Sequence, residues 1–263
     1  MSRPCHVLRV FTRGDLGGNH LGVINDVVGV SDGQKQAIAT DLGFSETIFV
    51  DWTDPARDPV VRIFTPVDEL PFAGHPLVGA AWVLAILGPK RATRLRTNVG
   101  TFTCAVDGDG ATVTASIPIF EADNDVARVA ADAGMPEPVR SLRLALPKHY
   151  LCARYDTFDD VAALDPDMDA LMGVFGFAAF ARDGNQVKLR FFAPGAGVPE
   201  DPATGSAAVA LAKAFSIWGE PEGQVTINQG DEIDHPSTIQ LSWTPEAVTI
   251  GGSVRHDEVV LVS

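Results

Sequence analysis

Cysteine is scarce in this chain, and its three copies form no motif. Cys5, Cys104 and Cys152 lie far apart, with no Cys-x-x-Cys pair. That excludes a thiol-rich zinc site or a thioredoxin-type redox centre and suits free thiols that fill core space. Cations are outnumbered, with 20 Lys and Arg against 34 Asp and Glu and a formal charge of −14. Such a surface repels phosphate backbones and anionic lipid, so neither a nucleic-acid partner nor a membrane partner is expected. The longest apolar run, Leu77 to Leu87, is too short to span a bilayer and contains Gly79. Met1 to Val10 lacks the apolar core of an export signal. With the odd cysteine count, this leads us to expect a cytoplasmic protein. His6, His20, His75, His149, His235 and His256 show no ligand spacing. Asp107-Gly-Asp-Gly110 and Gly251-Gly252 lack the strand, Gly-rich loop and helix that hold a nucleotide phosphate. No metal and no cofactor is expected.

What is present is a globular chain of 263 residues, 46% apolar, long enough for a sizeable core. In the first half, strands are predicted at Val7 to Phe11, Glu46 to Val50, Val60 to Phe64, Arg94 to Thr97, Thr101 to Val106 and Thr112 to Ile117. A helix capped by Ser31-Asp32 runs to about Asp41, and another, apolar on nearly every side, runs from Gly74 to Leu87. The second half repeats the plan. It has helical segments at Asp125 to Ala133 and Asp167 to Gly173, and an apolar helix from Gly205 to about Trp218. Strands are predicted at Gly176 to Ala181, Val187 to Phe192, Gln224 to Ile227, Ile239 to Leu241, Ala247 to Ile250 and Glu258 to Val262. Arg62-Ile-Phe-Thr-Pro66 is echoed by Arg190-Phe-Phe-Ala-Pro194, and Gly74 by Gly205. The predicted fold is α+β. Two pseudo-symmetric lobes, residues 1–118 and 119–263, each wrap curved, mostly antiparallel strands around one buried helix, with a linker over Pro118 to Asp125. Both helix starts would face a shared cleft, a common place for a ligand.

Four places could carry chemistry. Glu46, in Gly43-Phe-Ser-Glu-Thr-Ile-Phe49, enters an apolar strand, where desolvation would raise its pKa toward that of a general acid or base. Alone, it reads more readily as a strand start facing water, since buried glutamate is rare. His75 follows Gly74 in the first turn of the first buried helix, whose positive end favours a neutral ring able to donate or relay a proton. It could equally serve only its own helix start. Asp201 lies in Asp201-Pro-Ala-Thr-Gly-Ser206, where Thr204 is a good N-cap and Gly205 and Ser206 allow close approach to helix amides. The plain alternative is an ordinary capped helix start. Asn19, in Leu16-Gly-Gly-Asn-His-Leu-Gly22, reads as a loop residue, either a ligand donor or a turn former.

Together these segments resemble the PhzF-like family of phenazine biosynthesis, within the diaminopimelate-epimerase-like superfamily. The matching blocks are Val10-Phe-Thr12 with Gly18-Asn19, Phe44-Ser-Glu-Thr-Ile-Phe49, Arg62-Ile-Phe-Thr-Pro66, Glu69-Leu-Pro-Phe-Ala-Gly-His-Pro76 and Asp201-Pro-Ala-Thr-Gly-Ser-Ala-Ala208, in the family's order. The resemblance implies a cofactor-independent isomerase acting on a small metabolite. Glu46 would move a proton from one carbon to another, with His75 and Asp201 supporting the transfer. Gly74, Gly205 and Ser206 would hold the substrate's polar end, with Asn19 and Ser45 as further substrate contacts. It also implies a homodimer.

Related epimerases place a cysteine before each helix-start glycine, where this chain has Ala73 and Thr204. A single carboxylate shuttle therefore fits better than a two-thiol racemisation. The family's usual Gly-Asn-Pro-Ala-Ala-Val is Gly18-Asn-His-Leu-Gly-Val23 here, and its usual Thr after His-Pro is Leu77. Both departures bear on substrate more than on chemistry. Two other functions fit some of the residues. Ser206, His75 and Asp201 make a nominal hydrolase set, but no nucleophile elbow precedes Ser206. A non-catalytic binding protein on the same fold is the other.

Overall fold

The computed structural model describes residues 2–54, 56–88, 93–116, 119–146 and 148–263. In the first half the elements are β1 (Arg3–Thr12), β2 (Asn19–Ile24), α1 (Asp32–Leu42), β3 (Glu46–Asp51), β4 (Val60–Phe64), β5 (Glu69–Leu70), α2 (Gly74–Ile86), β6 (Arg94–Thr97), β7 (Gly100–Asp107) and β8 (Gly110–Ala115). Next come β9 (Phe120–Ala122), α3 (Val126–Asp132), β10 (Arg140–Leu146), β11 (Lys148–Arg154), α4 (Phe158–Ala162) and α5 (Met168–Leu171). The chain closes with β12 (Gly176–Asp183), β13 (Gln186–Ala193), β14 (Val198–Asp201), α6 (Gly205–Ile217), β15 (Gly223–Gln229), β16 (Ser237–Trp243) and β17 (Val248–Val262).

The strand pairings reveal a repeated plan. β1 is antiparallel to β2, β2 parallel to β3, β3 antiparallel to β4, β4 parallel to β6, and β6, β7 and β8 are antiparallel. In the second half β10, β11, β12, β13, β15, β16 and β17 follow one another with the parallel steps at the same places. β17 then continues past β8 and pairs along β1 from Ser253 to Val262. The last strand thus closes the first set of strands into a ring. The fold is α+β, with two pseudo-symmetric lobes. Residues 117 and 118, at the end of the strand predicted over Thr112 to Ile117 and at the proposed lobe boundary, lie outside the described residues.

Each set of strands wraps one apolar helix. α2 buries Gly74 to Ala81, Val83 and Leu84, and packs against β1, β2, β3, β7, β8 and β17. α6 buries Gly205 to Ala212, Ala214 and Phe215, and packs against β10, β11, β16 and β17. Valine and glycine are mediocre helix formers, but removing large apolar side chains from water gives roughly 1.5–3 kcal/mol each and outweighs propensity. Pro76 sits in the first turn, where its missing N–H has no helical partner to lose. The three thiols are free and buried, and burial pushes each up to about 12.

The sequence echo has a structural meaning. Arg62 forks onto Glu69 at 2.7 and 2.6 Å, and Arg190 onto Glu200 at 2.9 and 2.8 Å. Each clamp ties a long strand to the short strand that leads into the apolar helix. The second clamp is far drier, with side chains 9% and 8% exposed against 31% and 32% in the first. Arg190 also donates to the carbonyl of Leu164 at 2.5 Å, beyond α4. Arg190→Ala should therefore cost about 3–5 kcal/mol by stranding a buried carboxylate. Arg62→Ala should cost no more than about 1 kcal/mol. Urea unfolding of the two variants measures the contrast, and equal costs would refute it.

Several sequence expectations need correction. Asn19 is not a loop residue; it opens β2, opposite Val10. The two strands expected at Ala247 to Ile250 and Glu258 to Val262 are one strand, β17. Gly251 and Gly252 continue it because neighbouring backbone comes too close for a side chain. A Cβ on Gly251 would lie 2.8 Å from the Ala111 carbonyl, and one on Gly252 would lie 2.9 Å from the Thr238 carbonyl. β10 and β11 were not foreseen, although Leu142, Leu144 and Leu146 alternate inward along β10. Leucine is a weak strand signal, which hid the period of two.

Candidate active site

The amino ends of α2 and α6 meet. A Cβ on Gly74 would lie 2.8 Å from Gly205 Cα, and one on Gly205 would lie 2.9 Å from Gly74 Cα and from the His75 nitrogen. Glycine is required at both positions because each helix start is the other's neighbour. The expectation of two converging starts is met, but these glycines serve the helix contact first. Neither helix has a side-chain cap. Thr204 occupies the N-cap position of α6 but does not cap it, contrary to expectation. Its hydroxyl donates instead to Asp201 Oδ2 at 2.5 Å. First-turn amides of both helices therefore point into the junction without a side-chain acceptor, an arrangement suited to an anion.

Glu46 stands at the start of β3, opposite Leu21 of β2. Its side chain is 15% exposed, and Oε2 lies 3.2 Å from Nδ1 of His75, which is buried. Burial and then the charge of Asp201 hold the Glu46 carboxyl well above the usual carboxylate range. Burial lowers His75 to about 3, against a smaller opposing pull from the His20 backbone, so the ring is neutral. Neither Glu46 Oε2 nor His75 Nε2 has a well-formed hydrogen bond among the described residues.

Asp201 is held from both halves of the chain. Asn19 Nδ2 donates to its Oδ1 at 2.8 Å and Ser45 Oγ to the same oxygen at 2.9 Å. Burial nevertheless raises Asp201 to about 6, against the three hydrogen bonds from Thr204, Ser45 and Asn19 that favour its ionised form. Asn19 and Ser45 thus touch Asp201, an arrangement their expected role as substrate contacts did not include. All eight residues singled out from the sequence, Asn19, Ser45, Glu46, Gly74, His75, Asp201, Gly205 and Ser206, lie in this one region. Their hydrogen bonds do not form a hydrolase relay. His75 faces Glu46, Asp201 holds Asn19, Ser45 and Thr204, and Ser206 bonds to Tyr150.

Two neighbours were missed. The Tyr150 hydroxyl is buried near Glu46 and Asp201 and is hydrogen-bonded to Ser206; burial, the main cause, raises its pKa. Gln229 is buried and laces the loop before α6, accepting from the Thr204 amide at 3.0 Å and donating to the Asp201 carbonyl at 2.7 Å. Nothing in the local sequence marks either residue, because each reaches the site through strand pairing. Tyr150→Phe should cost about 0.5–1.5 kcal/mol through the lost hydrogen bond. Denaturant unfolding tests this, and an unchanged midpoint would count against the bond.

The repeat also explains why the site has one glutamate. Thr47, after Glu46, pairs with Phe64, and Phe177, after Gly176, pairs with Phe192. Phe64 and Phe192 each lie two residues past the clamp arginine. Gly176 is therefore the counterpart of Glu46, and the space its side chain would need is filled by the Phe191 ring, 2.0 Å from a built Cβ.

Two strand-wrapped helices meeting end to end define an epimerase-like α+β protein, and the chain belongs to the phenazine biosynthesis-like PhzC-PhzF family, whose model matches residues 8–256. It is an isomerase of that family. A trans-2,3-dihydro-3-hydroxyanthranilate isomerase from Pseudomonas fluorescens is 35% identical over 244 residues, spanning 89% of this chain and 87% of the relative. The crystal structure of a PhzF-family protein from Bacillus anthracis superposes with a TM-score of 0.83 at 19% identity, over 100% of this chain and 99% of that one. A hydroxyproline epimerase from Agrobacterium vitis shares the fold, with a TM-score of 0.70 at 12% identity over 99% and 92% of the two chains. Among the described residues, no helix is long and apolar enough to cross a membrane.

Proposed function

We propose that the protein catalyses a proton shift on a small, carboxylate-bearing metabolite, with Glu46 as the only general acid and base. The Glu46 carboxylate takes a proton from one carbon of the substrate, leaving a delocalised anion. The resulting acid returns the proton at a second carbon, which regenerates the carboxylate. The step balances without a cofactor. The observation that carries this reading is a shielded glutamate beside two uncapped helix starts in contact, with Gly176 rather than a second glutamate at the counterpart position.

The surroundings support it. A group whose pKa lies near the working pH serves as both acid and base, and burial moves Glu46 in that direction. First-turn amides of α2 and α6 would hold the substrate's carboxylate or the oxygen on which charge develops. Neutral His75, with Nδ1 3.2 Å from Glu46 Oε2, would stand against the glutamate and aim it. Asp201, drawing on Asn19, Ser45 and Thr204, would keep the loop before α6 in register with β2 and β3. The division into lobes 1–118 and 119–263, with β17 returning to the first, belongs to the same reading. So do a cytoplasmic location and a homodimer, the latter checked by sedimentation at twice the 27.9 kDa chain mass.

The first substrate to test is trans-2,3-dihydro-3-hydroxyanthranilate, after the Pseudomonas fluorescens relative's name. In heavy water, the expected result is conversion with deuterium appearing at one carbon. Conversion that proceeds undiminished in Glu46→Gln would overturn the role of Glu46.

A further inference from the structure

A second space adjoins the site, and the proposed chemistry does not use it. It is a cavity of about 540 Å³ lined by His20, Phe44, Met168, Pro202, Ile233 and His235, among others. Asn19 and Ser45 form part of its wall, and both donate to Asp201 Oδ1. The cavity therefore shares a wall with the candidate active site.

Its chemistry is selective. The His20 ring stacks on Phe44, with centroids 5.6 Å apart and planes 16° from parallel, and His235 meets His20 edge-on at 6.0 Å. Together they make an aromatic cluster along one side of the cavity. Pro202 and Ile233 add apolar surface, and Met168 adds a polarisable thioether. No Lys or Arg is among the described residues that line the cavity. The nearby cation Arg9 is engaged in a fork on Asp257 at 2.9 and 3.0 Å. The carboxylate present, Glu200, is tied to Arg190. An anionic substituent would find no fixed cation here, whereas a planar uncharged one would find aromatic and apolar surface.

We infer that this cavity is a substrate subsite for an uncharged, planar apolar group carried beyond the carboxylate that the helix starts hold, and that His20 is the residue that selects it. The inference rests on the reading that the substrate's carboxylate lies at the α2 and α6 starts. The selecting face belongs to the loop before β3 and the start of β2, the segments that also hold Asp201. A group seated there is thus placed relative to Glu46 by the same strands.

Titration of the full chain with acetate, 2-naphthoate and naphthalene-2,6-dicarboxylate tests the subsite, followed by calorimetry and by backbone amide shifts. We expect 2-naphthoate to bind at least tenfold tighter than acetate, and the second carboxylate to remove most of that gain. His20→Ala should reduce the ratio of 2-naphthoate to acetate affinity about fivefold, and Phe44→Ala should act in the same direction. Equal affinity for acetate and 2-naphthoate overturns the subsite. So does a dicarboxylate that binds as tightly as 2-naphthoate, or selectivity untouched in both variants. Amide shifts separate the two levels of the proposal. Acetate that leaves Gly74, His75, Gly205 and Ser206 unmoved overturns the anion cradle and everything built on it. Acetate that moves them, with no selectivity among the probes, overturns the subsite alone.

Discussion

Glu46→Gln is expected to lower turnover by about 10²–10⁴-fold, the usual contribution of a positioned general base, and at the same time to stabilise the fold at neutral and alkaline pH. The two effects share a cause. Burial, then the nearby Asp201 charge, raises the Glu46 pKa above its unfolded value. A carboxyl raised in this way contributes stability that is fully present below the ordinary carboxylate pKa and is lost as pH rises through the folded value. Asp201, raised to about 6, loses its share between roughly pH 4 and 6. The Glu46 share goes as pH passes the raised value of that carboxyl. Glutamine keeps the shape without a charge to desolvate, so the variant escapes the Glu46 loss. Relief of a buried active-site charge commonly gives about 1 kcal/mol, or about 2–4 °C in a chain of this size. Melting curves of both proteins from pH 4 to 9 should diverge as pH rises. Parallel curves would show that the buried charge carries no such cost, and undiminished turnover would remove Glu46 from the mechanism.

The second large effect is on stability. Gly74→Ala should lower the melting temperature by about 5–10 °C, and Gly205→Ala by a similar amount. The added methyl at Gly74 would lie 2.8 Å from the Gly205 backbone and 2.4 Å from Ile250 Cδ1. A side chain can rotate away, but a helix backbone locked in a packed junction cannot, so the lobes themselves must shift. Nearby Gly79 offers a control, since a Cβ there meets side chains only, the nearest being Leu21 Cδ2 at 2.4 Å. Its alanine variant should cost less. If Gly74→Ala melts within a degree of the parent, the two helix starts are not in contact in solution.

Much of this site was legible in the chain because its pieces are local. Glu46 at a strand start, His75 at a helix start, and Asp201 four residues before Gly205 are short-range patterns. The Arg62 and Arg190 echo pointed to a duplication because each arginine serves the same clamp in its own half. Asn19 was misplaced for a physical reason. Two glycines before it suggest a turn, whereas its β conformation comes from pairing with Val10. Thr204 was misread in a similar way. It is a good cap by type, but the Asp201 carboxylate three residues earlier competes for its hydroxyl and wins. His20 stood out in the sequence as a departure from the family's usual loop, yet its partner His235 lies more than two hundred residues away.

The sequence alone determined most of the longer elements, the two apolar helices, the family resemblance and the eight residues first singled out for the site, because periodicity and helix-start chemistry act over a few neighbours. Only the tertiary structure decided that the helix starts touch, that Gly176 is the counterpart of Glu46, that Tyr150 and Gln229 pack beside Ser206 and Asp201, and that His235 meets His20. It also decided that the last strand closes the first lobe. Those facts depend on strand register across a hundred residues or more, which no local pattern encodes.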